Sequence, residues 1–507
     1  MKTLNHKIIN SIVVSFMFIV FFACSSSSPS DEEPDPDPVI TYSLTTSVNS
    51  LDFDNTESNE DVTITTNVDS WVISSSGTSW ITLSKSSGTA GATVVNITAS
   101  ENTSIAGRST EITVNANNVS AVKITVNQAG VPSGNGIYPD YNTNPIAADA
   151  TGMSSTAAEI AANITLGWNI GNSLEATGSE TAWGNPLVTK QLIDAVKANG
   201  FNAIRIPCSW DQYLTDDVNA KIKTEWLERV KDVVQYCIDN DMYALLNIHW
   251  DDGWLENNIV EANKVNVNAK QKAFWEQIAT HLRDFDEHLL FASANEPDAE
   301  DAAAMSVLNS YHQTFIDAVR ATGGKNAYRT LVVQGPKTDI ELTNNLMNTL
   351  PTDTATNRMM AEIHYYTPWQ FAGMAEDESW GNMFYYWGAG YHSTINTERN
   401  ATWGEEAALD DYFTSMKTKF VDQGIPVILG EFGAIRRNTL TGDDLQLHLD
   451  SRAYYLKYVV KQAKANGLLP FYWDEGSIGN NGFGLFNRSD NTVFDQQALD
   501  ALLEGLN

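Results

Sequence analysis

Basic residues are scarce in this chain. Lysine and arginine number 31 against 63 acidic residues, a formal charge of −32 over 507 residues. A nucleic-acid partner needs a basic face for its phosphates, so that class is excluded. Cysteine is nearly absent: Cys24, Cys208 and Cys237 are the whole supply. A strand-end Cys208 and a helical Cys237 seldom reach disulfide geometry, so no bridge is expected between them. No His-x-x-x-His pair or cysteine cluster occurs, and neither a metal nor another cofactor is expected. The first apolar run of the larger domain lacks the Gly-x-Gly-x-x-Gly turn that would mark a dinucleotide-binding open sheet.

What is present begins with two glutamates, Glu296 and Glu431, each ending a short apolar run (288–297 and 426–434). An acid at the mouth of a buried strand is costly unless it is paired, hydrogen-bonded or catalytic. Two carboxyls facing each other across a scissile oxygen are what glycosidic hydrolysis requires. They stand 135 positions apart (431 − 296), so only a fold that unites distant strands can join them.

The chain opens with Lys2, His6 and Lys7, then an apolar run from Ile8 to Phe22 that ends at Phe-Phe-Ala-Cys. This resembles a bacterial lipoprotein signal over residues 1–23, with Cys24 acylated in the mature chain. An uncleaved anchor is the alternative, although no basic stop signal follows. Residues 24–40, rich in Ser, Asp and Pro, read as a hydrated tether. The acidic patch behind Cys24 resembles signals that carry lipoproteins to the outer cell surface. The expected location is therefore the outer membrane, lipid-anchored and facing outward.

Residues 41–130 carry period-two runs spaced by turn residues, the pattern of an antiparallel β-sandwich. Trp71-Val-Ile-Ser, Trp80-Ile-Thr-Leu-Ser, Ser87-Gly and Ala106-Gly-Arg-Ser resemble a BACON-type domain. Trp71 and Trp80 lie within alternating strands and read as core rather than sugar platforms, which makes this module a spacer. Residues 131–150 read as a linker. From 151 to 507, eight apolar runs alternate with helical patterns (189–199, 223–240, 271–285, 309–322 and 452–466 among them), the arithmetic of a (β/α)8 TIM barrel. The runs start at Ile164, Ala203, Tyr243, Leu289, Leu331, Met359, Val427 and Leu468.

Chemistry in that fold collects at the C-terminal strand ends. Those ends carry Asn169 and Asn172, Arg205, His249, Asn295-Glu296, Gln334, His364 with Tyr366, Glu431 and Trp473. The set Arg205, His249, Asn295-Glu296-Pro297, His364-Tyr365-Tyr366, Glu431-Phe432-Gly433 and Trp473 resembles glycoside hydrolase family 5, clan A, across residues 151–507. Gly167-Trp-Asn-Ile-Gly-Asn-Ser-Leu-Glu-Ala and Trp183-Gly-Asn-Pro resemble its endo-β-1,4-glucanases, including xyloglucanases. The resemblance implies retaining hydrolysis, with Glu296 as acid/base and Glu431 as nucleophile. Arg205, Asn295, His364 and Tyr366 would support them. Asn172, His249, Trp250, Trp254, Trp369, Trp380 and Trp473 are the candidate substrate contacts, with Trp183 and Trp387 as further platforms. Trp250 departs from the second histidine that many relatives carry there. Repulsion from Glu431 is expected to raise the pKa of Glu296. The expected substrate is a soluble β-glucan such as xyloglucan, met by a monomer. A β-mannanase or other clan A glycosidase stays open, as does a non-catalytic glycan-capture lipoprotein.

Overall fold

The computed structural model describes residues 41–77, 79–102, 107–130 and 137–507. The export signal, Cys24 and the tether lie outside the described residues. Contacts divide the chain into two compact units, the larger containing residues 127–507 and the smaller built mainly from the β-rich segment before it.

The β-rich segment is all-β, with seven strands joined in one hydrogen-bonded set. Its longest strand, Ser58–Ser75, pairs with Leu44–Thr46 through one half and with Arg108–Ala116 through the other. Inward positions run Val62, Ile64, Thr66 and Val68, then resume at Trp71 and Ile73. Two successive outward residues, Asp69 and Ser70, shift the phase by one, so both halves keep an apolar side inward. Trp71 is fully buried and its indole N–H donates to Thr89 O at 3.3 Å. Trp80, expected in the core as well, is only half-buried.

The larger unit is a closed barrel of eight parallel strands. In chain order they are Gly167–Asn169, Ala203–Ile206, Tyr243–Asn247, Leu289–Ala292, Leu331–Gln334, Met359–Tyr365, Val427–Phe432 and Leu468–Tyr472. Side chains alternate along each strand, and here the inward face changes character with height. At the base Ala203, Leu245, Leu290, Val332, Met360, Ile428 and Leu469 form an apolar layer, stopped below by Ala157 and Ile160 of the helix Ala157–Asn163. Two or four positions further along come Arg205, Asn247, Gln334, Glu362 and His364, joined by Asn169 at the end of the first strand, all buried. Alternate residues face the surrounding helices in the main core.

Three helices begin earlier than their periodicity suggests, at Lys264, Ala302 and Gly442. Asp301 starts the second of these by accepting the Ala304 N–H at 2.8 Å. From 137 the expected linker is bound to the barrel unit: the Tyr141 N–H donates to Glu276 at 2.9 Å and Ile146 bridges Gly323. Cys208 and Cys237 are free and buried.

Candidate active site

The polar rim is organised by one guanidinium. Arg205, on the second strand, has no solvent exposure. Its Nη1 donates to Glu431 Oε1 at 2.8 Å and to Asn169 Oδ1 at 3.0 Å. Its Nη2 donates to Asn295 Oδ1 at 2.8 Å, and Nε sits 2.8 Å from Glu362 Oε1. One side chain thereby ties the first, second, fourth, sixth and seventh strands. Planar, always charged and rich in donors, arginine is the cation suited to that position.

The seventh strand delivers Glu431 through an irregularity. Pairing with the sixth strand runs Ile363 with Leu429, then His364 with Glu431, so Gly430 is the extra residue. A Cβ at Gly430 would fall 2.1 Å from Glu362 Oε1, so only glycine leaves room for that carboxylate. Glu431 also accepts the Tyr366 hydroxyl at 3.0 Å.

The second cation is His364. Its Nδ1 lies 2.7 Å from Glu296 and 3.7 Å from Glu431, and its Nε2 lies 3.3 Å from Glu362. Burial alone would depress its pKa, but Glu431, Glu296 and Glu362 overcome this and raise it to about 9. His364 is therefore an imidazolium at neutral pH, donating from both ring nitrogens. Glu362 is itself buried, and burial pushes its pKa up; Arg205, His364 and Gln334 outweigh that and hold it charged, below the ordinary glutamate value.

The structure reverses the expected protonation order of the two glutamates. Glu296 was expected high. Loss of surrounding water does push it up, yet the His364 hydrogen bond and the charges of His364 and Arg205 hold it below the ordinary value. Burial instead raises Glu431, against the opposing pull of His364 and Arg205. Among the carboxylates it is Glu362 that pushes Glu296 up, and the charges of His364 and Arg205 outweigh it.

Glu296, His364 and Glu431 each bring an oxygen or nitrogen within 4.8 Å of the others. That spacing also suits a cation, but His364 supplies a positive charge there and spends both ring nitrogens on carboxylates. The Glu296 side chain is 44% exposed and that of Glu431 only 7%, so one carboxyl faces the cleft and the other lies deeper.

The structure separates the remaining candidates. His249 and Trp473 lie with parallel rings, centroids 6.0 Å apart. Burial, then Arg205 and His364, drive the His249 pKa well down, so that imidazole is neutral. Asn172, at φ 54°, donates its N–H to Glu175 and its carbonyl accepts Asn185 at 2.9 Å. Trp183, Trp250, Trp369 and Trp380 are exposed. Trp254 is half-buried, its N–H donating to Asp251 at 2.8 Å and its ring edge-on to Phe274. Trp387 is fully buried, packed on Tyr454, Tyr455 and Tyr458, and is not a platform.

Two acids escaped the sequence reading. Glu362 falls inside an apolar run, although Met360, Glu362 and His364 share one strand face. Glu256, on the loop after the third strand, is buried and accepts the Glu296 N–H at 2.8 Å; burial and the nearby carboxylates push its pKa up to about 7.

The His364 cation carries a consequence for stability. A histidine raised from the ordinary 6.5 to about 9 stabilises the fold fully below the unfolded value, and that stabilisation fades as pH rises through 9. Urea unfolding of the wild type should show stability falling between pH 6.5 and 9.5, with a visibly shallower fall in His364→Gln. Identical pH slopes would contradict the imidazolium.

Comparison with known proteins agrees with this geometry. Residues 169–479 match the model for cellulases of glycosyl hydrolase family 5, and residues 69–129 match the BACON model. The chain is 37% identical over 456 residues to the xyloglucan-specific endo-β-1,4-glucanase BoGH5A of Bacteroides ovatus, covering 86% of each chain. It is 39% identical over 393 residues to endoglucanase A of Paenibacillus barcinonensis, covering 73% of this chain and 94% of that one. Among solved structures, a Bacteroides ovatus family 5 xyloglucanase in complex with an XXXG heptasaccharide superposes with a TM-score of 0.68 at 34% identity. That match covers 92% of this chain and 100% of the other. A ruminal metagenomic xyloglucan-specific β-1,4-glucanase, XEG5B, gives 0.64 at 41% identity over 69% of this chain and 96% of that one. With a family model spanning more than half its length and such relatives across most of it, the chain belongs to glycoside hydrolase family 5.

Proposed function

We propose that this protein is a retaining endo-β-1,4-glucanase acting on soluble xyloglucan, with Glu431 as nucleophile and Glu296 as acid/base. The observation that carries this reading is the spacing of the carboxyls, with oxygens of Glu296 and Glu431 within 4.8 Å of each other. Retaining glycosidases hold their carboxyls about 5–5.5 Å apart, whereas inverting ones need roughly 6.5–9.5 Å to admit a water.

In the first step Glu431 Oε attacks the anomeric carbon as the glycosidic C–O bond breaks. Glu296 passes its proton to the departing oxygen. Arg205 and Tyr366 orient the attacking carboxylate and hold it charged. A sugar seated over Glu296 displaces the water that now solvates it, which raises its affinity for the proton shared with His364. Esterification of Glu431 then removes a negative charge, favouring ionised Glu296. In the second step Glu296 takes a proton from water, the water oxygen attacks the anomeric carbon, and Glu431 leaves as carboxylate. Asn295, held by Arg205 Nη2 at 2.8 Å, is assigned the contact with the 2-hydroxyl of the reacting sugar.

The aromatic surface supports a long, branched glucan. Trp369 stands edge-on to Tyr366, 6.2 Å away, and Tyr366 contacts Glu431. Trp250 adjoins His249, which faces Trp473. Exposed indoles thus stand on two loops, after the third and sixth strands. Side-chain sugars add apolar area at about 25 cal/mol per Å2. Relatives named for xyloglucan among the similar proteins favour a glucan over a mannan. Comparing kcat/KM on xyloglucan, lichenan and carboxymethylcellulose tests the choice, and xyloglucan is expected to be the best of the three. If it is the worst, the branch-binding argument fails.

The protein is further proposed to act as a monomer, lipid-anchored through Cys24 on the outward side of the outer membrane. The support is the sequence of residues 1–40, where a basic start, an apolar run and Ala-Cys precede an acidic tether. In membrane fractionation of cells expressing the full chain, Cys24→Ala should lose acyl labelling and leave the outer-membrane fraction. Undiminished labelling in that variant would rule out Cys24 as the anchor.

A further inference from the structure

The loop after the third barrel strand contains three successive residues in the left-handed region: Asp251 (φ 52°), Asp252 (φ 62°) and Gly253 (φ 72°). Only the last is glycine, and side-chain-bearing residues avoid this region. Such a backbone persists where its surroundings over-determine it, and it concentrates at functional sites.

Here the determinant is the Asp251 carboxylate, which is almost wholly buried. Its Oδ1 accepts the Ser209 hydroxyl at 2.5 Å, the Trp210 N–H at 2.8 Å and the Asp211 N–H at 2.9 Å. Its Oδ2 accepts the Trp254 indole N–H at 2.8 Å. All four donors are neutral. A buried carboxylate balanced by neutral donors alone is costly to keep, and this one touches neither Glu296 nor Glu431. Gly253 completes the turn by donating its N–H to Trp250 O at 2.7 Å, and a Cβ there would lie 2.1 Å from Asn257 Nδ2.

The residue that leads into this turn is Trp250, 42% exposed beside His249, its indole nitrogen 3.4 Å from where a Cβ on Gly253 would stand. At the far end of the same loop Glu256 accepts the N–H of Glu296 at 2.8 Å. One short segment therefore connects an exposed indole to the peptide that carries the proposed acid/base.

We infer that Asp251 is a positioning residue for substrate selection: it enforces the left-handed turn that holds the Trp250 indole as a platform for a glucosyl face of the β-glucan. This rests on the glucanase reading above. Asp251 acts through Trp250, so its removal matters only while that indole is present. An asparagine cannot replace it, because an amide nitrogen at Oδ2 would oppose the Trp254 N–H or, flipped, the donors at Oδ1.

The test is a double-mutant cycle on the β-glucan that the wild type cleaves best. A wrong choice of glucan then shows in the wild type, and a wrong assignment of Asp251 shows only in the cycle. Trp250→Ala should raise KM about tenfold while kcat changes less than about threefold. Asp251→Asn should raise KM by about fivefold or more in the parent, but by less than about twofold in the Trp250→Ala background. Ser209→Ala, which removes one neutral donor and spares the carboxylate, should show the same dependence at smaller size, and it supplies the answer if Asp251→Asn does not fold. Equal KM factors in both backgrounds, a loss confined to kcat, or an unchanged KM in Trp250→Ala would each overturn the assignment.

Discussion

The site depends on the buried contact between Arg205 and Glu431. A lone guanidinium in a barrel interior would be prohibitively costly, and so would a lone carboxylate. Each is tolerated because the other is 2.8 Å away; Arg205 also donates to Asn169 and Asn295 and forms an ion pair with Glu362. The arrangement demands much of the backbone. Gly430 must lack a side chain to make room for Glu362, and the sixth and seventh strands must slip register so that His364 stands opposite Glu431. Breaking such a pair by removing one partner costs about 3–5 kcal/mol. The polar upper layer of the barrel is therefore a single connected object, resting on the apolar layer below.

Charge counting explains where the protons sit. Three carboxylates, Glu296, Glu362 and Glu431, surround two cations, Arg205 and His364. With His364 neutral the cluster would carry −2; that charge draws a proton, and His364 keeps it because all three carboxylates face that ring. Glu296 is left low in the free protein, where solvent still reaches it. In the proposed mechanism Glu296 needs a proton only when a sugar lies over it, and the His364 ring stands ready 2.7 Å away.

Much of this was legible in the sequence. All eight apolar runs became barrel strands because short buried parallel strands read as uninterrupted apolar segments, and the strand-end residues converge as that fold requires. Helix starts were less legible: the polar stretch from Lys264 to Lys270 is helical because Val267, Asn268 and Ala269 pack inward, a tertiary effect without local signal. Glu362 was hidden by its own strand, where an acid among Met, Ala and Ile passes for an interruption. Its spacing of two from both Met360 and His364 was the available clue. Asp251 and Glu256 sit on a loop with no periodicity to place them. Trp387 misled because an aromatic-rich loop reads as a surface, whereas this ring packs against tyrosines of the helix Gly442–Ala465. The direction of the Glu296 shift was illegible because it depends on His364, which Glu431, Glu296 and the unseen Glu362 together keep protonated.

The central claim is that the Arg205-centred cluster makes Glu431 the group that bonds covalently to the sugar. The most direct test is to trap that bond with a 2-deoxy-2-fluoro cellobioside bearing a good leaving group, then to map the labelled peptide by mass spectrometry. The account predicts one fluorosugar per chain, attached at Glu431 in the 427–432 strand and absent from Arg205→Met. A label on Glu296, or product of inverted configuration with no covalent adduct, would contradict it.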